Sequence, residues 1–316
     1  MISIWLACAL DVMIGDPHYF FHPVRLIGNY IEKTEKLIRG RVKSDRGLQT
    51  AGVFLLLSTV ILTFAVTTFL LWMGSMIHFT VFFSINTILL WTSIASKSLK
   101  AESMKVYRAL TRGNIEEARV FLSYIVGRDT KKLKDREIVQ ATVETVAENT
   151  SDGVIAPLFY AFIGGAPLAL TYKAVNTLDS MVGYKNEKYR FLGWASAKVD
   201  DVANFLPARI TAVLMVLSSI FIGLDKTGSW RVMCRDHAKH TSPNAGFPEA
   251  AVAGALRIRL GGPSYYLGNK VEKPYIGDFL KQVDLKDIKK TNSLMYISSF
   301  LALIIFSVLR LFIFSR

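Results

Sequence analysis

The sequence predicts an all-α integral membrane protein: a polytopic helical bundle of about four to six membrane segments, one broken or re-entrant, with helical cytoplasmic loops. Two observations predict this class. Hydrophobic residues make up 51% of the 316 residues, which is more than an ordinary soluble domain needs. The stretch 47–96 contains no Asp, Glu, Lys or Arg, so this part of the chain is suited to lipid.

The charge pattern indicates a membrane surface. The formal net charge is +13, from 38 basic and 25 acidic residues. The basic residues cluster beside apolar runs, which is typical of cytoplasmic loops that face anionic lipid. We therefore expect a lipid bilayer, and no nucleic acid, as a partner. The two cysteines, Cys8 and Cys234, are far apart in sequence and indicate neither a disulfide framework nor a Cys-x-x-Cys zinc site.

The first apolar segments predict an N-terminal helix and a hairpin. Residues 1–10 are apolar but lack a basic n-region, so we expect an uncleaved helix and not a signal peptide. Residues 50–73 and 76–96 each approach the length that crosses a bilayer, with a short turn at Gly74 and Ser75 between them. Basic residues flank the pair on both sides, so both of its ends are expected in the cytoplasm.

The segment 101–148 alternates charged and apolar residues and predicts cytoplasmic helices, with breaks at Gly113-Asn114 and Gly127-Arg128. The next apolar stretch, 154–175, is interrupted by prolines and glycines, namely Pro157, Gly164, Gly165 and Pro167. Irregular backbone at membrane depth needs surrounding protein or a water-filled cavity. This stretch is therefore predicted to be broken or re-entrant.

Two further spans are predicted at 206–224 and 294–314. The loop 225–292 between them carries twelve Lys or Arg residues, which predicts that it is cytoplasmic. The chain 1–316 is predicted to be a single multi-pass domain of the cell membrane. If 154–175 is re-entrant, which we favour, the acidic residues before and after it all face the cytoplasm. If it crosses fully, the later ones lie outside.

Acidic residues at helical spacing predict a binding site. Glu144, Glu148 and Asp152 are four residues apart, which places three like charges on nearly one helical face. Magnesium prefers oxygen ligands and would relieve their repulsion. The alternative is an acidic helix end before Gly153, with Asp152 as a cap.

A second acidic group consists of Asn176 and Asp179, followed by Asp200 and Asp201. Asp200 and Asp201 are adjacent and cannot share one helical face, so one could point to a ligand while the other caps the next span. Arg209, just inside that span, needs an anionic partner. An ion pair with Asp200 or Asp201 and a contact to a substrate phosphate both remain open.

Two loops also carry polar residues. The stretch from Gly15 to Arg25 is rich in turns, so a loop that contacts substrate or lipid headgroups is favoured over a metal pair of His18 and His22. Pro and Gly predict an ordered loop over 237–249, which could carry binding groups or form a plain turn. Neither a P-loop nor a Rossmann fingerprint is found in the sequence.

Four stretches together resemble the CobD/CbiB family of adenosylcobinamide-phosphate synthases. They are LDVMIGDPHYFFHPVRLIG (10–28), ETVAENTSDGVIAPLFYAFIGGAPLALTYKAVNTLDSMVGYK (144–185), KVDDVANFLPARITA (198–212) and SPNAGFPEAAVAGALRIRLGGPSYYLG (242–268). The resemblance covers nearly the whole chain and is weakest in the hairpin and the last span. One departure is Phe247, where many members carry Trp.

The resemblance implies a membrane ligase of cobalamin biosynthesis. Such an enzyme joins adenosylcobyric acid to aminopropanol or its O-phosphate in an ATP-dependent reaction, and it could work beside other corrinoid-assembly membrane enzymes. The acidic residues would hold Mg²⁺, basic residues would contact phosphate, and a carboxylate, His237 or His240 would accept the proton of the amine. Arg25 and Arg209 are the candidates for phosphate contacts.

The candidate residues fall into three groups by role. The expected catalytic residues are Glu144, Glu148, Asp152, Asp179 and Asp200. The expected Mg²⁺ ligands are Glu148, Asp152 and Asp179. The expected substrate-binding residues are Asp16, His22, Arg25, Asn149, Asn176, Asp201, Arg209, His237, Ser242, Asn244 and Glu249.

Two other functions compete with the ligase. Acidic motifs of this kind would suit an Asp-rich, Mg²⁺-dependent membrane transferase, although the blocks 10–28 and 242–268 would then have no explanation. The interrupted segment 154–175 would suit a corrinoid transporter or a non-catalytic assembly subunit. Against transport, much of the polar motif content lies outside the spans.

Overall fold

The computed structural model describes residues 1–16, 22–184, 186–266 and 268–314, and helices make up most of them. The helices in chain order are α1 (Ile2–Met13), α2 (Pro23–Arg41), α3 (Asp45–Ile77), α4 (Phe79–Trp91), α5 (Ser96–Thr111), α6 (Ile115–Ser123), α7 (Asp135–Thr150), α8 (Ala156–Val182), α9 (Trp194–Ala203), α10 (Phe205–Phe221), α11 (Lys226–Asp236), α12 (Gly246–Leu256) and α13 (Leu285–Phe314). A π turn, Ser151–Ile155, precedes α8, and a 3-10 turn, His237–Lys239, follows α11.

Four short strands form two small antiparallel pairs. They are β1 (Leu260–Gly261), β2 (Ser264–Tyr266), β3 (Asn269–Val271) and β4 (Tyr275–Ile276). β1 pairs with β4, and β2 pairs with β3 so that Tyr266 lies opposite Asn269.

The predicted all-α membrane class is confirmed. Among the described residues four helical segments are long and apolar enough to cross a membrane, and five if one bent pair counts as a span. The four are Asp45–Ile77, Phe79–Thr111, Asp135–Val182 and Leu285–Ile313, and the bent pair is Trp194–Ala203 with Phe205–Phe221. The shorter N-terminal helix, Ile2–Met13, is apolar too. The five spans predicted from hydropathy each fall on one of these segments.

The chain forms two compact units, and each has its own core. The first consists of Met1–Ala95, Ala156–Asn204 and Phe306–Arg316, and the second of Ser96–Ile155 and Phe205–Ile305. In the first unit, apolar side chains of α2, α3, α8 and α9 pack together around Ile31, Leu55 and Leu178. In the second unit, α7, α10, α11 and α12 enclose a larger core around Val143 and Met215.

The turn of the first hairpin lies later than predicted. α3 continues through Gly74 to Ile77, and the chain turns at His78, which is extended and caps α4 by accepting a hydrogen bond from Thr80 N at 3.2 Å. Gly74 instead lies where α3 meets α4, since a Cβ there would come within 3.1 Å of Phe82 Cα. The prediction was wrong because this glycine serves helix packing and not a turn.

The predicted break in 154–175 lies at two glycines of α8. Gly164 and Gly165 have non-helical backbone, and Gly165 has φ +67°, which glycine adopts without steric cost. A break leaves helix carbonyls without their usual partners, which is costly in an apolar environment. Arg310 of α13 satisfies one of them, because its Nη1 donates to Phe162 O at 2.9 Å.

We expect Arg310→Leu to lower the free energy of unfolding by about 1–3 kcal/mol, because it removes a charged donor from a backbone carbonyl. Thermal or denaturant unfolding of the detergent-purified protein measures the change. Lys286→Met, at an exposed position of the same helix, is the control. Equal stability of the two variants would contradict the assignment of Arg310 as a cap.

Candidate active site

The second unit contains a cavity of about 190 Å³. It is bounded by the end of α6 and the loop after it, by α7 and α12, and by the loops around the short strands. Its lining includes three glutamates, Glu144, Glu148 and Glu249. The basic side chains in the lining are Arg128, Lys239, His240 and Lys273. A polar cavity with both signs of charge is the default candidate for a binding site.

Glu144 is held firmly by three donors from different parts of the second unit. Arg128 Nη2 donates to its Oε2, while Gln140 Nε2 and Gly261 N donate to its Oε1 at 2.9 Å and 2.7 Å. The carboxylate is buried, with 6% of the side chain exposed, and the Arg128 side chain is 15% exposed. These three hydrogen bonds suit Glu144 to a structural role, in which it holds the segments of the cavity wall together.

Glu249 and His240 face each other in the cavity. Residues 246–256 form α12, so Glu249 lies in a first helical turn and not in the predicted loop. Ser242 lies in the turn before this helix and accepts from Ala245 N at 3.2 Å. Burial, followed by the charges of Glu144 and Glu148, raises the pKa of Glu249 well above its usual range. His240 Nε2 is 3.6 Å from Glu249 Oε1.

Hydrogen bonds determine different tautomers for the two histidines of this region. His240 Nδ1 accepts from Ser242 N at 2.9 Å, so the proton of the neutral ring is on Nε2. Burial, and then the charge of Lys273, lowers the pKa of His240. His237 Nδ1 lies 2.9 Å from Met233 O, which can only accept, so His237 keeps Nε2 as an acceptor. His237 is therefore the better proton acceptor of the two, although the cavity lining includes only His240.

Arg209 lies in a stack of aromatic rings within the second unit. Its guanidinium is 3.5 Å from the Phe205 ring centroid and 4.3 Å from that of Phe247, and His237 stacks on Phe247 at 4.1 Å. Arg209 Nη1 donates to Phe205 O at 2.6 Å and reaches Asn244 Oδ1 at 3.5 Å. Arg209, His237 and Asn244 thus lie together in one cluster of the second unit.

The first unit has a polar cluster of its own. Asp200 Oδ2 accepts from Asn204 Nδ2 at 3.0 Å, and Tyr172 Oη donates to Asn204 Oδ1 at 2.7 Å. Asp200 Oδ1 is buried, and Asn176 joins Asn204 as a hydrogen-bond partner of the Asp200 carboxyl. Asp179 acts electrostatically on Asp200. Gly183 lies against Asp179, where a Cβ would come within 1.9 Å of its Oδ1.

The remaining predicted residues lie elsewhere. Asp16 and His22, in the first unit, approach each other to 3.4 Å, and Arg25 is in the first turn of α2. His18 lies outside the described residues. Asn149 Nδ2 donates to Thr145 O, one turn earlier on α7.

Three residues of the predicted acidic motifs are not among the described residues that line the cavity. Asp152 is in the π turn, and the lining of the cavity in the described residues does not include it. The π turn interrupts the four-residue spacing that predicted one shared face. Asn176 and Asp201 are half-buried members of α8 and α9 in the first unit.

No group of three or more His, Cys, Asp or Glu side chains in the described part of the chain is arranged to hold a metal ion. The three predicted Mg²⁺ ligands also divide between the units, with Glu148 and Asp152 in the second and Asp179 in the first. Magnesium is commonly held by one or two carboxylates together with waters and substrate phosphates. Glu148, in the lining of the cavity, is a carboxylate of the kind that such a reduced donor set uses.

Comparison with known proteins decides the family. The profile described as CobD/Cbib protein matches residues 4–295. The chain belongs to the CobD/Cbib family. Curated proteins named "Cobalamin biosynthesis protein CobD" are 49% identical in Clostridium perfringens, covering 98% of both chains, and 51% identical in Geobacter metallireducens, covering 92% of this chain and 90% of the relative. A search of solved structures finds no match.

Several cavity residues of this CobD/Cbib chain were missed by the sequence analysis. Arg128 falls at a predicted helix break, and Gly261 and Tyr266 lie in the stretch 242–268, which the sequence analysis had already singled out. Lys273 had no comparable signal. Its neighbour in the structure, Tyr266, is placed by the β2–β3 pairing, which motif spacing does not reveal.

We expect Arg128→Met to cost about 3–5 kcal/mol of unfolding free energy, because it leaves the buried Glu144 carboxylate without its cation. The double variant with Glu144→Gln should recover much of that loss. Chemical unfolding of the four proteins of this double-mutant cycle measures the coupling. The exposed pair Lys36–Glu32 is the control, with an expected coupling within about 1 kcal/mol. A coupling no larger than that of the control would contradict the structural role of the pair.

Proposed function

We propose that this chain is an enzyme of cobalamin biosynthesis that forms an amide bond between adenosylcobyric acid and aminopropanol or its O-phosphate, with ATP and Mg²⁺. The named function of its curated relatives, at about half identity over nearly the full length, supports the pathway. The cavity with three glutamates beside basic side chains is the observation that supports ligase chemistry.

The proposed reaction needs both signs of charge. ATP would transfer its γ-phosphoryl group to the corrinoid carboxylate, giving ADP and an acyl phosphate. The amine, as its free base, would then attack the acyl carbon; the carbon–oxygen bond to phosphate breaks, and the nitrogen loses a proton. Phosphoryl transfer depends mostly on positioning and charge neutralisation, to which basic side chains contribute. A bound Mg²⁺ would add further neutralisation of phosphate charge.

Residues of the cavity can be assigned to these tasks. Glu144, fixed by Arg128, would keep the wall in place, and Glu148 would supply a carboxylate for the metal or the substrate ammonium. Glu249 is our candidate for the proton acceptor, since its raised pKa brings it closer to that of an amine and to neutral pH. His240 presents Nε2–H toward Glu249 and would orient it.

The polar cluster around Asp200 is proposed as a polar site of the first unit in its own right. Its carboxylates and amide could hold the amine or the metal, as Asp179 and Asp200 were expected to do. Arg25 and Arg209 remain the proposed phosphate contacts outside the cavity, and Arg209 is also suited to a flat ring because it already lies between two aromatic rings.

Corrinoid transport is the second candidate function. The break in α8 at Gly164 and Gly165 favours it, because discontinuous helices form substrate sites in many transporters. Uptake of a corrinoid by vesicles that contain only this protein, without ATP-dependent amide formation, would support transport over ligation.

The function is tested with the purified full-length chain. We expect adenosylcobyric acid, the amine, ATP and Mg²⁺ to give the amide and ADP, detected by mass spectrometry. Glu148→Ala and Asp179→Ala should each lower the rate by about 100-fold or more, the size of a lost acid–base or charge contribution. Glu272→Ala, at an exposed strand end, should keep full activity. Normal rates for either acidic variant at normal expression would remove that residue from the site.

The proposed orientation is tested with the native cysteines. Cys234 is exposed on α11 in the basic loop, and Cys8 is half-buried. If this loop is cytoplasmic, as its basic residues predict, a membrane-impermeant maleimide should label Cys234 only after cells are permeabilised. Cys234→Ser identifies the labelled residue. Labelling of Cys234 in intact cells would reverse the orientation.

A further inference from the structure

The cations in the cavity of the second unit differ in whether they have an anionic partner. Arg128 is paired with Glu144. Lys239 Nζ is paired with Asp236 Oδ1 at 2.7 Å. Lys273 Nζ instead donates to the neutral Tyr266 hydroxyl at 2.6 Å. In the part of the chain that the structure describes, no carboxylate oxygen lies within salt-bridge distance of Lys273 Nζ.

Tyr266 is held in place by the elements around it. It ends β2, which pairs with β3. Two hydrogen bonds attach this pair to the loop that carries Arg128: Asp129 N donates to Tyr265 O at 2.8 Å, and Gly268 N donates to Asp129 Oδ2 at 2.7 Å. The hydroxyl that orients Lys273 is therefore fixed to the same loop as the cation that orients Glu144.

Lys273 retains the capacity to bind an anion. An ammonium has three N–H donors, and the Tyr266 hydroxyl uses one of them. The Lys273 ammonium is also 4.9 Å from the Tyr266 ring centroid, a contact that favours a cation but does not neutralise it. Of the cavity glutamates, Glu144 is committed to Arg128, and burial raises the pKa of Glu249, which reduces its charge.

We propose that Lys273 and Tyr266 form an anion-binding subsite of the cavity that takes a phosphate group of a substrate. The proposal rests on the proposed ligase function and extends it to Lys273, which carried no sequence signal, and to Tyr266 of the stretch 242–268. Lysine binds phosphate as a point charge, and the tyrosine hydroxyl can donate a further hydrogen bond to a phosphate oxygen. The phosphate could belong to ATP or to a phosphorylated amino alcohol; these two sources share the same chemistry and are separated by experiment.

The test compares Lys273→Met with Lys270→Met in the full-length chain. Lys270 is a matched control because it is in the adjacent strand, is exposed and is already paired with Glu272 at 2.5 Å. Tyr266→Phe and its neighbour Tyr265→Phe form a second matched pair that removes only a hydroxyl. Lys273→Arg keeps the charge and should restore most of the binding.

The Michaelis constants for ATP, aminopropanol phosphate and aminopropanol are measured for each variant. We expect Lys273→Met to raise the KM of one phosphate-bearing substrate by about 10- to 100-fold, the effect of a lost charged hydrogen bond. The KM of unphosphorylated aminopropanol should not change. The substrate whose KM rises identifies the source of the phosphate. If wild type forms the amide and Lys273→Met leaves every KM unchanged, the subsite is overturned and the ligase function stands.

A measurement of binding without turnover tests the anion-binding subsite separately from the ligase function. Aminopropanol phosphate and an ATP analogue with a non-hydrolysable β–γ bond are titrated into wild type and Lys273→Met by calorimetry. Loss of binding in the variant, from a wild type that binds but does not form the amide, would support the subsite and refute the ligase function. Equal binding by both proteins would overturn the subsite. Thermal unfolding that matches that of Lys270→Met shows that Lys273→Met is folded.

Discussion

The buried pair of Arg128 and Glu144 is the interaction on which the candidate site depends. Glu144 comes from α7, Arg128 from the loop after α6, and the Gly261 amide that also binds Glu144 comes from β1. One carboxylate thus joins three segments, of which β1 is distant in sequence from the other two. Because a buried charge is costly unless it is neutralised, this pair favours the arrangement in which the three segments meet.

The cavity glutamates differ in the partners that surround them. Glu144 has a guanidinium partner, Arg128. Glu249 faces only the imidazole of His240, and burial lowers the pKa of that ring. Burial and the charges of Glu144 and Glu148 therefore raise the pKa of the Glu249 carboxyl. Two carboxyl groups with environments that differ in this way are suited to different tasks, one structural and one chemical. The same logic leaves Lys273 as the cation able to accept an incoming anion.

The helices could be predicted from the sequence, but the contacts between distant segments could not. Hydropathy located the spans, and Gly164 with Gly165 located the break in α8, because length and backbone freedom are local properties. The turn was wrongly predicted at Gly74 because glycine is typical both of turns and of places where two helices come close. Glu249 was assigned to a loop because Pro248 is typical of loops and turns, although proline also suits a first helical turn. Lys273 could not be found from spacing, since its proposed role follows from a strand pairing and from the lack of a carboxylate beside it among the described residues.

The break in α8 has a consequence for how the protein is made. Phe162 lies 148 residues before Arg310, the side chain that satisfies its carbonyl. On the ribosome, the interrupted helix is therefore complete long before its cap exists. Until the last helix has been synthesised, this carbonyl must depend on water or on a temporary partner in the insertion machinery. The first unit therefore acquires this contact only after α13 has been synthesised.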